Sequence, residues 1–135
     1  MTRFGIDVLT ALRLIEEDVP IADTHQLVAP NVLRSHVLSH LYGSVRRGEL
    51  SRDAARVRLD RLSSLRVRLL GDRVSRAVAW KIAEDLDWDD TTTAEYVAVA
   101  KLQADALVTL DAELARRVEG VVESWSVRTW LTSPV

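Results

Sequence analysis

The sequence predicts an α/β protein: a three-layer α/β/α sandwich with a short central parallel sheet. Short apolar runs of strand length alternate with longer stretches whose apolar residues recur every three or four positions. Strands separated by helices in this way pair in parallel through crossover connections. Two of the apolar runs end in aspartate, and a parallel sheet gathers such residues at one edge.

The N-terminal region predicts a strand, a helix and a connection. The strand covers residues 3–6 and ends at Asp7. The helix that follows has apolar residues at helical spacing and stops before Pro20, because proline lacks the amide hydrogen that a helix interior needs. Asp23 and Pro30 favour turns, so the sequence around them predicts an irregular connection.

The middle of the chain predicts two helices. The first runs from Asn31 to about Gly48. Ser51 is expected to cap the second, since a serine hydroxyl accepts a hydrogen bond from a backbone amide of the first turn. The first of these helices has two apolar stripes, one formed by Leu33, Val37 and Leu41 and the other by Leu38, Tyr42 and Val45.

The C-terminal half predicts three strands and three helices. Asp72 is expected to cap a helix with Val74, Val78, Ile82 and Leu86 along one face. Trp80, on the opposite face, is expected to be a partly buried packing residue, with stacking on a base as the alternative. The strands are expected at residues 66–70, 106–109 and 121–125, and the two later helices at residues 94–103 and 112–118.

Length and composition limit the class of protein. The 135 residues are enough for one domain, expected to span residues 1–135. The chain has no cysteine, which excludes disulfide scaffolds and thiolate metal sites. No apolar stretch reaches the roughly 20 residues that cross a bilayer. Asp7 stands where a signal peptide needs an apolar segment, so we expect a cytoplasmic protein.

The charges are unevenly distributed along the chain. The net charge is only -2, but residues 46–76 carry ten arginines against four acids, and the segments on either side are acidic. A basic segment of this kind can form solvated helix faces, or it can bind a polyanion. Arg46, Arg47, Arg73 and Arg76 are the candidates for binding RNA or an acidic protein tail.

The two strand-terminal aspartates are Asp7 and Asp111. Each precedes a predicted helix, so each is a candidate helix cap. Two carboxylates at neighbouring strand ends also form an oxygen-rich site suited to Mg²⁺ or Mn²⁺. These two interpretations do not exclude each other.

Four segments together resemble the PIN domain of VapC-type toxins. They are Ile6-Asp7, the segment APNVLRSHVL at 29–38, the segment TAEYVAVA at 93–100 and the segment VTLDAELA at 108–115. They occur in the family's order and spacing over about residues 3–118, which leaves 119–135 as a C-terminal strand and tail.

The resemblance implies the toxin component of a type II toxin–antitoxin pair, a Mg²⁺- or Mn²⁺-dependent ribonuclease. It also implies a homodimer and a VapB-like antitoxin, through which alone the protein would contact DNA. The family's four acids fall on Asp7, His36, Thr93 and Asp111, so two of them are replaced.

The replaced positions leave open what the site does. His36 can ligate Mn²⁺ or act as a base, and Asp90 is a further candidate ligand as well as a candidate helix cap. Asp7 and Asp111 remain the expected metal ligands. The alternative function is a degenerate PIN domain without nuclease activity that binds RNA or an antitoxin.

Overall fold

The computed structural model describes residues 1–132 and contains a five-stranded, all-parallel sheet with helices on both faces, which confirms the predicted sandwich. Residues 133–135 of the predicted C-terminal tail lie outside the described residues. The strands are β1 (Thr2–Ile6), β2 (His25–Pro30), β3 (Val67–Leu70), β4 (Ala106–Thr109) and β5 (Ser124–Ser126). The helices are α1 (Val8–Glu17), α2 (Leu33–Arg46), α3 (Arg52–Ser64), α4 (Arg73–Asp85), α5 (Thr92–Gln103), α6 (Ala112–Arg117) and α7 (Val127–Thr132).

The strand order in the sheet is β3-β2-β1-β4-β5. The chain builds outward from β1 through β2 to β3, then returns to place β4 on the other side of β1. Ile6 therefore pairs with Val108 across the β1–β4 boundary. This reversal is a topological switch point, and ligands of open parallel sheets bind outside the carboxyl ends of the strands at such a point.

One face of the sheet packs against α1, α2, α3 and α7. Its core contains Phe4 and Ile6 of β1 and Val108 of β4, all with almost no exposed surface. The predicted stripe Leu33, Val37 and Leu41 of α2 is buried in the same core. The burial of this stripe confirms the prediction of a helix here, which was based on the helical spacing of these three residues.

The other face packs against α4, α5 and α6, and α5 lies directly on the sheet. Gly5 of β1 makes this close approach possible. A Cβ atom at position 5 would lie 2.7 Å from Cβ of Ala100 on α5. Glycine at this strand position therefore sets how closely α5 covers the switch point.

β2 was not predicted, and the expected irregular connection around Asp23 and Pro30 is wrong. The strand contains three buried residues, Leu27, Val28 and Ala29, and pairs with β1 on one side and β3 on the other. Its apolar run is too short to show a period. Pro30 has no amide hydrogen to donate, but the pairing with β3 loses no hydrogen bond at this position. The Leu70 carbonyl of β3 accepts from the amide of Asn31, the next residue.

The C-terminal elements also differ from the prediction. The last strand lies at Ser124–Ser126 instead of residues 121–125, and α7 follows it. Trp130 of α7 is buried against Phe4, with ring centroids 5.8 Å apart, and its indole N–H donates to Nδ1 of His25. The C-terminal segment therefore completes the core of the first face.

The capping residues of α3 and α4 are as predicted, and so is the apolar face of α4 except for Val74. Ser51 accepts a bond from the Ala54 amide, and Asp72 accepts one from Ser75. Ile82 is buried against α5 with Ala79 and Ala83, and Val78 and Leu86 pack against the same core, whereas Val74 is largely exposed. No helix within residues 1–132 is long and apolar enough to cross a membrane.

Candidate active site at the switch point

Asp7 follows β1 and is the N-cap of α1, so its predicted capping role is confirmed. Its Oδ1 accepts a bond of 2.9 Å from the Thr10 amide, and its Oδ2 accepts one of 2.6 Å from the Thr109 hydroxyl. Asp7 is only 8% exposed. Two donors thus stabilise a carboxylate that is nearly removed from solvent.

Thr109 connects the two strand-terminal acids. While its hydroxyl donates to Asp7, its Oγ1 accepts a bond of 3.0 Å from the Asp111 amide. The hydroxyl of Thr10 donates to the Val108 carbonyl at 3.0 Å, which adds a second link between α1 and β4. These bonds fix the chain after β4 relative to the chain after β1.

Asp111 is the N-cap of α6 and is exposed. Its Oδ1 accepts from the Glu113 and Leu114 amides, at 3.0 and 3.1 Å, and its Oδ2 has no donor within residues 1–132. Asp111 lines a cleft of about 370 Å³ together with Thr93 and Asp90. The structure therefore places three of the predicted site residues around one cleft.

Asp90 and Thr93 lie at the start of α5. Asp90 accepts a bond of 3.0 Å from the amide of Thr92, the first residue of α5. The N-cap itself is Thr91, one position later than the predicted cap, and its side chain forms no capping bond. Thr93 is in the first turn of α5 and offers only a neutral hydroxyl. Asp89 and Glu113 line the same cleft, which is therefore acidic.

His36 lies on α2, the helix that follows β2. Its Nδ1 lies 2.8 Å from the hydroxyl of Tyr96 on α5, and the side chain of Tyr96 is buried. Burial raises the pKa of Tyr96, and the negative charges of Glu95 and Asp7 raise it further. Ala100, one helical turn after Tyr96, packs on Gly5, two residues before Asp7, so Tyr96 and its partner His36 lie toward the same edge of the sheet as Asp7.

The two strand-terminal carboxylates, Asp7 and Asp111, are the predicted anionic ligands of a metal ion at the switch point. Nowhere in residues 1–132 do three His, Asp or Glu side chains form a group that could hold a metal ion. Mg²⁺, however, is usually bound through one or two carboxylates together with substrate phosphates and water. Asp7 and Asp111 therefore fit an ion that the substrate completes, and do not fit a site formed by the protein alone.

The four candidate arginines lie at two separate places. Arg73 and Arg76 are in the first turn of α4, exposed, and neither forms an ion pair within residues 1–132. Arg76 lines a second cleft, of about 390 Å³, with Asn31 and Glu95. That cleft lies at the carboxyl ends of β2 and β3.

Arg46 and Arg47 are at the other end of α2, about 20 Å along the helix axis from Leu33. Arg47 is also paired with Glu49 at 2.9 Å. The basic segment is therefore not one surface.

Two further arginines of the basic segment have structural roles. Arg61 donates to the Ile15 and Glu16 carbonyls at the end of α1, at 2.9 and 3.1 Å, and Arg58 lies 3.8 Å from the Glu16 carboxylate. These contacts attach α3 to α1, so neither guanidinium is free to bind a polyanion.

Trp80 on α4 is 68% exposed, which contradicts the expectation of a partly buried packing residue. The face of α4 that carries Trp80 is turned away from α5. Since Arg76 precedes it by one helical turn, the indole and a free guanidinium lie next to each other on the surface.

Three site residues were not predicted: Thr10, Tyr96 and Thr109. Thr109 stands two positions before Asp111, a spacing at which a threonine hydroxyl can accept from the later amide. No comparable signal exists for Tyr96, because its partner is 60 residues away in the sequence.

The sequence has no match in two comparisons with known proteins. No protein-family model matches the sequence. No curated protein matches it significantly either.

Proposed function

We propose that this protein is a VapC-like toxin of the PIN-domain type, a divalent-metal-dependent ribonuclease that cleaves RNA phosphodiester bonds. The observation that carries the proposal is the arrangement of Asp7 and Asp111. They follow the two strands on either side of the switch point and are linked by Thr109. This is the edge at which a parallel sheet binds its ligands.

The proposed cofactor is Mg²⁺ or Mn²⁺, held by Asp7 and Asp111 and completed by RNA phosphate oxygens and water. When bound, such an ion activates water for attack on a phosphodiester and stabilises the leaving oxygen. Asp7 keeps spare capacity for this role, because a carboxylate offers about four lone-pair sites and two are used. The affinity for the ion should be low until RNA is present.

Trp80, Arg73 and Arg76 support RNA as the substrate. An exposed indole stacks on an unpaired base, and neighbouring free guanidinium groups contact phosphates. α4, which carries all three residues, packs against α5, the helix that carries Thr93 and Tyr96. The RNA-binding surface would thus continue into the site.

The proposed partners are a VapB-like antitoxin and a second copy of the chain, in the cytoplasm where the RNA substrate is found. The second stripe of α2 supports a protein partner, since Leu38 and Tyr42 are 53% and 65% exposed. Light scattering of the purified protein tests the homodimer, and a mass of one chain would contradict it.

A specific observation favours a second candidate, a degenerate PIN domain that binds RNA or an antitoxin without cleaving. Asp7 is nearly buried and both its oxygens already accept hydrogen bonds. Its position is therefore explained without any ion. His36 and Thr93, which stand where the PIN-domain family has acids, also favour a domain that does not cleave.

One experiment separates the two candidates. The purified protein is incubated with single-stranded and structured RNA and either Mg²⁺ or Mn²⁺, beside Asp7→Asn, Asp111→Asn and the exposed control Asp53→Asn. The ribonuclease proposal expects cleavage that is lost in the first two variants and retained in the control.

Cleavage that persists in Asp7→Asn would overturn the metal-site assignment. If the unmodified protein binds RNA without cutting it and the double variant His36→Glu/Thr93→Asp gains cleavage, the degenerate domain is the correct candidate.

A further inference from the structure

The hydroxyl of Tyr96 requires a hydrogen-bond acceptor. Tyr96 is 3% exposed, and Nδ1 of His36, at 2.8 Å, is its one hydrogen-bond partner within residues 1–132. A tyrosine hydroxyl keeps its proton at neutral pH. Since buried donors are almost always satisfied, the Tyr96 hydroxyl donates to Nδ1.

This direction of donation determines the tautomer of His36. A neutral imidazole carries one proton, on either Nδ1 or Nε2. With Nδ1 accepting from Tyr96, the proton is on Nε2, the nitrogen on the far side of the ring. His36 is partly exposed, unlike Tyr96, so the protonated nitrogen belongs to the part of the pair that solvent and ligands reach.

We propose that His36 is a hydrogen-bond donor to an anionic oxygen at the switch-point site, and that Tyr96 is the positioning residue that keeps it a donor. We take the anionic oxygen to be a non-bridging phosphate oxygen of RNA, and this identification rests on the proposed function. Asp7 and Asp111 repel a phosphate, and the Nε2–H group supplies a donor at the same edge of the sheet.

The same hydrogen bond excludes His36 as a metal ligand. Ligation by Nε2 would move the ring proton to Nδ1 and reverse the bond to Tyr96. The Tyr96 hydroxyl would then be a buried donor with no acceptor within residues 1–132. Replacing the family's acid with histidine therefore changes this position from a candidate ligand of a cation to a donor for an anion.

The tautomer is measured by long-range ¹H–¹⁵N correlation on the ¹⁵N-histidine-labelled protein at neutral pH. The chain has three histidines, and His36→Gln assigns the signal of interest. We expect an unprotonated Nδ1 and a protonated Nε2. In Tyr96→Phe the donor is gone, so the two tautomers should mix. A protonated Nδ1 in the unmodified protein would overturn the inference.

The ligand is tested with a short single-stranded RNA in EDTA, by fluorescence anisotropy. Loss of a hydrogen bond to a charged group should weaken binding by at least about tenfold in His36→Ala. His36→Gln, which restores an N–H donor, should recover most of it. The control is His40→Ala, one turn further along α2 and exposed. Equal affinities of His36→Ala and the unmodified protein would overturn the phosphate assignment.

A Mn²⁺ titration of the same variants keeps this inference distinct from the proposed function. We expect His36→Ala to bind Mn²⁺ within twofold of the unmodified protein. A loss of tenfold or more would make His36 a metal ligand and overturn the inference. Absence of cleavage, by contrast, would overturn only the ribonuclease proposal.

Discussion

The hydroxyl of Thr109 lies 2.6 Å from Oδ2 of Asp7, a contact between residues 102 positions apart in the sequence. The same Oγ1 accepts from the Asp111 amide. One side chain therefore satisfies a buried carboxylate and orients the loop that carries the second acid. The relative position of Asp7 and Asp111 depends on this threonine.

Thr109→Val should lower the free energy of unfolding by about 1–3 kcal/mol. Valine has nearly the same shape, but it leaves the Asp7 carboxylate with one donor fewer and the Asp111 amide without its acceptor. Urea denaturation measures the change, with the exposed Thr92→Val as the control, expected within about 0.5 kcal/mol of the unmodified protein. Equal stability of the two variants would contradict a bridging role for Thr109.

Gly5→Ala should destabilise the fold by about 1–3 kcal/mol, because the new Cβ would lie 2.7 Å from Cβ and 3.1 Å from Cα of Ala100. Ala100→Gly removes the shorter of these two contacts but costs about 1 kcal/mol as a helix glycine. The double variant should therefore be more stable than the sum of the two single changes predicts. Strict additivity in urea denaturation would show that α5 does not pack on β1 as described.

Tyr96 should make stability fall at alkaline pH. Burial, assisted by Glu95 and Asp7, raises the pKa of Tyr96 above its ordinary value near 10 in the folded protein. The unfolded chain therefore loses this proton first as the pH rises, and the stabilisation present below about pH 10 is progressively lost above it.

The measurement is urea denaturation at about pH 8 and about pH 10.5 for the unmodified protein and Tyr96→Phe. We expect a smaller loss between the two pH values in Tyr96→Phe. Parallel losses would show that Tyr96 ionises normally in the folded state.

Trp80→Ala should weaken binding of single-stranded RNA by about 5- to 100-fold, the range expected for one base stacked on an aromatic ring. Because Trp80 is exposed, the free energy of unfolding should change little. Val74→Ala, also exposed on α4, is the matched control in an anisotropy assay. Unchanged affinity in Trp80→Ala would remove α4 from the RNA-binding surface.

Elements with a clear period or a local cap were predictable. The α2 stripe of Leu33, Val37 and Leu41, the caps Ser51 and Asp72 and the strand at 106–109 all agree with the sequence-based expectations. β2 was missed because three buried residues beside a proline have no detectable period. Only pairing with β1 and β3 makes that segment a strand.

The sequence by itself determined the α/β class, the order of most elements and the two strand-terminal aspartates, because periodicity and capping depend on residues a few positions apart. Tertiary structure alone decided that Thr109 joins Asp7 to Asp111, that Tyr96 holds His36, and that Arg58 and Arg61 bind α1 instead of a polyanion. Each of these contacts joins residues more than 40 positions apart, or depends on one that does. Such contacts arise from the packing of helices on the sheet, to which no local pattern in the chain corresponds.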